Sequence, residues 1–109
     1  MSSLPTEQIP GSMPRDFGYD EVTRLRWRLD AVNLELLRLL EHRARLALEV
    51  ARLKQRRGLP VYDADRELNM LEAVVAQSRG LLDTRELEAV FSRIFAACRS
   101  LAQRGMPGA

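Results

Sequence analysis

The stretch DEVTRLRWRLDAVNLELLRLLEHRARLALEVARLKQRRG, residues 20–58, decides the fold. From Asp20 to Arg57 it contains no proline and no glycine, and it is rich in Leu, Arg, Glu and Ala, the residues that lose least on entering a helix. Its apolar positions are Val22, Leu25, Leu29, Val32, Leu36 and Leu39, then Leu46, Val50 and Leu53, with position 43 in the same register. Alternating steps of three and four keep these positions on one side of a 3.6-residue turn, so a single long helix is predicted, closed by Gly58 and Pro60. Roughly 38 residues at about 1.5 Å each reach on the order of 57 Å, longer than a compact domain of this size is wide. Two shorter helices of one chain cannot cover such a seam, and an intertwined homodimer is expected. The alternative is a bend or break between His42 and Arg45, where no helix breaker occurs.

Outward from that stretch, Leu59 to Tyr62 cross to a second helix whose N-cap is Asp63 and which carries Leu68, Leu71, Val74 and Val75 before stopping near Gly80. Asp83 followed by Glu86 is the Asp form of a capping box. Leu87, Val90, Phe91, Ile94, Phe95, Cys98 and Leu101 line a third helix that frays from Arg104. No segment alternates with period two beyond the short link, so the class is all-α, three helices with a very long first one. Residues 1–19, with Pro5, Pro10, Pro14, Gly11 and Gly18, read as a flexible N-terminal tail, residues 20–104 as the domain, and residues 105–109 as a flexible end.

Composition narrows the function classes. With 46% hydrophobic and 29% charged residues the chain is neither a disordered polar segment nor a bilayer span. The net charge of +2, with acids interleaved along the first helix, argues against nucleic acid. The single cysteine, Cys98, and the absence of a signal-peptide pattern after Met1 read as a cytoplasmic protein. His42 is the one histidine and lacks the neighbours of a metal site. Cys98 lacks a His partner and reads as a small core residue. Neither a glycine-rich phosphate loop nor a Ser-His-Asp set occurs.

Several charges fit a purely structural reading poorly. Arg43 stands in the apolar seam where the pattern asks for Leu, and a guanidinium there needs an anion or a route to water. Lys54 follows eleven residues later, on nearly the same side and about 16 Å further along. It is the only lysine among 17 basic residues. Asp63, Arg66 and Glu67 cluster on the first turn of the second helix, as a cap with a salt bridge or as part of a site. Arg26 lies about 25 Å from Arg43 along the axis, too far for one small ligand within one chain, though a second chain could bring it near.

Taken together, these residues resemble the all-helical (AroQ-type) chorismate mutases. The likeness runs from about Leu25 to Leu101, through Leu25-Arg26, the stretch Leu29 to Leu40, Arg43, Lys54, and Pro60-Val61-Tyr62-Asp63-Ala64-Asp65-Arg66-Glu67. The resemblance implies a dimer of three-helix chains that converts chorismate to prephenate, a Claisen rearrangement on the route to phenylalanine and tyrosine, with no metal and no cofactor. It implies that Arg43, and Arg26 reaching in from the partner chain, bind the two carboxylates. Lys54 would donate to the ether oxygen and a carboxylate. Asp63, through side chain or backbone, and Glu67 would orient the ring hydroxyl, and Arg66 would hold the helix start and contact the substrate side. Arg43, Lys54 and Glu67 are thus the expected catalytic groups.

The pattern departs from the family near the end of the third helix, where Cys98 occupies a position that is often Ser and Ala102 one that is often a Gln donating to the ether oxygen. Gln103 is one residue late, and losing such a donor can cost about a hundredfold in rate. The resemblance therefore leaves a rival: a weakly active or non-catalytic module that binds chorismate or prephenate and controls a DAHP synthase. A pyruvate lyase acting on isochorismate is a second rival, and a purely structural dimerisation helix a third.

Overall fold

The computed structural model describes residues 20–105, and the expected tail, 1–19, and the last residues, 106–109, lie outside them. The order is α1 (Glu21–Arg56), α2 (Ala64–Gln77) and α3 (Thr84–Gly105). The 36-residue α1 continues as helix through His42 to Arg45, so a break there does not occur. The chain divides into two compact units, one through Glu41 and one from His42.

In the first unit the helix opens on a cap. The Thr23 N–H donates to Asp20 Oδ1 at 2.9 Å, and these bonds hold the Asp20 carboxyl below its ordinary pKa. Trp27 is buried, whereas Val22, Leu25, Leu29, Val32, Leu36 and Leu39 are each about half exposed or more, up to 63% at Leu39. The seam legible in the sequence is present as a helical stripe with its apolar surface in water.

In the second unit α1 ends on Gly58. The Leu59 N–H donates to the Lys54 carbonyl at 2.8 Å and the Gly58 N–H to the Gln55 carbonyl at 3.2 Å, the paired bonds of a Schellman motif. Gly58 supplies the φ of +70° that the motif requires. Asp63 caps α2, with Oδ1 accepting the Arg66 N–H at 3.0 Å. The Asp83 carbonyl accepts the Leu87 N–H at the start of α3.

Small side chains mark where α1 and α3 pack together. Ala51 and Ala102, both 4% exposed, form the buried centre with Val61 packed against them. Near the end of α3 a Cβ on Gly105 would meet Leu48 Cδ1 at 3.1 Å, and Arg52 Nη2 donates to the Gly105 carbonyl. Phe95 and Cys98 complete the buried set in this unit, while α2 contributes no buried residue. None of the described helices is long and apolar enough to cross a membrane.

Replacing Gly58 with Ala should destabilise the chain by about 1–2 kcal/mol, the cost of a Cβ in the left-handed region. Urea unfolding followed by circular dichroism measures the shift.

Candidate active site

Each expected charge of the second unit reaches its place through a local rule. Arg43 and Lys54 stand on α1 three turns apart. The Schellman stop after Lys54 turns the chain so that Val61 and Tyr62 return along it, and the Asp63 cap starts α2 with Arg66 and Glu67 on its first turn. The result is a cavity of about 610 Å³ whose lining includes Arg43, Lys54, Asp63, Arg66 and Glu67. All of its lining residues lie in the unit that begins at His42. Arg26 is exposed on α1 in the first unit and is not part of this lining.

Arg43 is half-buried, and its contacts in the chain are soft. Nη1 donates to Cys98 Sγ at 3.1 Å, Nη2 reaches Met70 Sδ at 3.5 Å, and the guanidinium carbon sits 4.8 Å from the centre of the Phe95 ring. Sulfur is a weak acceptor, and an aromatic face contributes about 0.5–2 kcal/mol to a cation. Cys98 is therefore buried, as expected of a core residue, and is also a wall of the cavity in contact with Arg43.

Glu67 is the one carboxylate on the α2 wall with a strong partner in hand. Arg99 Nη1 donates to its Oε1 as an ion pair, and the Arg99 guanidinium lies 5.1 Å from the Tyr62 ring centre. Donating this bond to Glu67 raises the pKa of Arg99 further above its ordinary value. With Arg99 38% and Glu67 22% exposed, water screens the pair. Such pairs are worth about 0–1 kcal/mol, so its consequence is orientation more than stability.

The sequence does not single out Arg99. It follows Cys98 at the edge of the apolar stripe of α3, and in the sequence alone it is indistinguishable from Arg93 or Arg104. Tyr62 and Phe95, whose spacing marks only link or core positions, and Met70, which the sequence does not single out, also line the cavity. Ala102 and Gln103 both border it, with Ala102 buried against Ala51 and Gln103 exposed. The lining thus holds four cations, Arg43, Lys54, Arg66 and Arg99, against two carboxylates, Asp63 and Glu67. An excess of two positive charges beside Leu46, Val50, Val61 and Phe95 suits a small dianion with an apolar body. Among the described residues there is no group of three or more His, Cys, Asp or Glu able to hold a metal ion.

Residues 25–103 match the family chorismate mutase type II. The chain belongs to that family. Its fold is shared with the chorismate mutase (form II) of Thermus thermophilus, at 38% identity and a TM-score of 0.77, covering 79% of this chain and 98% of that one. The form I structure from the same organism gives 39% identity and a TM-score of 0.71, over 72% of this chain and 99% of that chain. Among curated relatives, the bifunctional chorismate mutase/prephenate dehydratase of Pseudomonas aeruginosa is 37% identical over 89 residues, 77% of this chain and 24% of that protein. The enzyme of the same name from Aquifex aeolicus is 29% identical over 78% of this chain and 25% of its own length. The chain therefore spans about a quarter of the length of the curated relatives it matches.

The double duty of Asp63, as cap and as cavity wall, can be separated. Asp63→Ala should cost about 1 kcal/mol in urea unfolding, and Asp63→Asn, which keeps the capping oxygen, a few tenths at most.

Proposed function

We propose that this domain is a chorismate mutase, an isomerase that rearranges chorismate to prephenate in the synthesis of phenylalanine and tyrosine. The observation that carries the reading is the seating of Arg43 on sulfur and an aromatic ring inside a cavity with two surplus positive charges. A guanidinium so held gives up little when a carboxylate arrives, and gains charge-assisted bidentate bonds.

The reaction is unimolecular. One ether C–O bond breaks as one C–C bond forms, with no covalent intermediate and no obligatory proton transfer. A catalyst for it holds the dianion in the compact near-attack shape and stabilises the negative charge that grows on the ether oxygen. In this assignment Arg43 holds one carboxylate, Lys54 donates to the ether oxygen and the neighbouring carboxylate, and Asp63 and Glu67 orient the ring hydroxyl. Arg66 holds the start of α2 and contacts the substrate side.

The second carboxylate belongs to Arg26 of another copy. Support for a homodimer is the stripe from Val22 to Leu39, about half exposed or more at its apolar seam positions, and the small set of buried residues in the described chain. Burying such a stripe against a second copy gains about 25 cal/mol per Å² of apolar surface. A cytoplasmic site of action fits the single cysteine and the shikimate chemistry.

One observation favours a second reading, a weakly active or non-catalytic module that binds chorismate or prephenate and controls a DAHP synthase. Ala102 is packed against Ala51 and presents no amide where many members of the family have Gln.

Adding chorismate to the purified protein and following the loss of its ultraviolet absorbance, with product identification, decides between them. Prephenate formed well above the spontaneous rate is the expected outcome. No acceleration favours the regulatory module, and pyruvate as product the lyase. Arg43→Ala should abolish turnover while the chain stays helical by circular dichroism. Mixing Arg26→Ala and Arg43→Ala chains should restore activity, because one of the two shared sites in each heterodimer is then intact. Proven heterodimers without activity would overturn the shared site.

A further inference from the structure

We infer that Arg99 is a positioning residue for the reaction, holding Glu67 by one carboxylate oxygen so that the other faces the substrate hydroxyl. The inference rests on the chorismate mutase reading and extends it to a residue on α3 outside that assignment.

A free glutamate side chain turns about three torsions, and an acceptor that wanders over them orients nothing. Arg99 Nη1 donates to Glu67 Oε1 and so restrains the carboxylate, while Glu67 lines the cavity and its Oε2 takes no part in that bond. Arg99 is itself held on a second side, with its guanidinium 5.1 Å from the centre of the Tyr62 ring. The planar cation thus joins three elements of the wall: the link through Tyr62, α2 through Glu67, and α3 through its own backbone next to Cys98. A planar, multi-donor guanidinium bonds a carboxylate in its plane and stacks its face on a ring at once, a geometry that a compact lysine ammonium reproduces only in part.

Charge gives the same assignment. A carboxylate that must lie beside an incoming dianion repels it unless a cation is paired with it, and Arg99 is that cation for Glu67. With Nη1 committed to Glu67 and its face to Tyr62, the inferred role of Arg99 is exerted through Glu67.

The test is steady-state turnover of chorismate by the full chain and its Arg99→Met, Arg99→Lys, Glu67→Gln and Arg99→Met/Glu67→Gln variants, with melting curves for each. Arg99→Met should lower kcat about 10- to 100-fold with KM changed little, the usual consequence of a misplaced orienting group. Arg99→Lys should recover part of the loss. In the Glu67→Gln background the same change should cost no more than about threefold further, since the two residues act as a unit. A loss of melting temperature with kcat intact would make Arg99 merely structural. A loss confined to KM, or losses that multiply in the double variant, would make it a direct substrate contact, and either result overturns the inference. If the wild-type chain does not turn over chorismate, the functional reading falls by itself. The positioning is then decided by carbon-13 relaxation of the Glu67 methylenes, expected to be ordered in the wild type and mobile in Arg99→Met. Equal order in both overturns it.

Discussion

A permanent positive charge in an apolar helical seam constrains everything around Arg43. The guanidinium cannot shed its proton, and α1 offers it leucine and valine on either side. The chain meets this with two sulfur atoms and the face of Phe95, supplied by Met70 on α2 and by Cys98 and Phe95 on α3. These neighbours accept a cation without neutralising it. An internal carboxylate would have made a stable, finished ion pair; the sulfur and aromatic seat leaves the charge available. The same groups that pack α2 and α3 beneath α1 therefore also keep the cavity electrostatically unfinished.

The second constraint is the way α1 stops. Lys54 lies in its last turn, and its carbonyl takes the Leu59 N–H that closes the Schellman motif. The left-handed Gly58 then sends Val61 and Tyr62 back along the helix. One backbone device therefore places a cation and brings the Asp63 cap, Arg66 and Glu67 to the same cavity. Ala51 of α1 and Ala102 of α3, packed together, line that cavity. Ala102 is used for contact between helices, and Gln103, one residue on, is exposed and borders the cavity.

The apolar seam of α1 is about half exposed from Val22 to Leu39, and Leu46 and Val50 beyond His42 are as exposed, with Ala51 the buried side chain of that later half. An apolar stripe of this kind gains stability when another surface covers it, which is the physical basis for the proposal that a second copy covers it and receives Arg26 in its cavity. The curated relatives add a different scale: in them the equivalent segment is about a quarter of a longer chain.

The sequence by itself determined the elements and five members of the cavity. Unbroken 3–4 periodicity from Val22 to Leu53, Gly58 and the Asp63 cap are local signals, carried by neighbours three or four residues apart, and α1, α2 and α3 follow them closely. Arg43 and Lys54 are legible because each breaks a local rule, one a charge in a seam and the other a lone lysine among arginines. Tertiary structure alone decided the partners. Nothing near Arg99 in the sequence separates it from the other arginines of α3, since its meaning comes from Glu67 and Tyr62, 32 and 37 residues away in the chain. Likewise Cys98 has the spacing of a core residue and Met70 lies outside the stripe read for α2, and both become the seat of Arg43 only where three helices converge. Periodicity and capping act over one turn and are written in the chain; charge pairing acts through space, between residues whose proximity only packing creates.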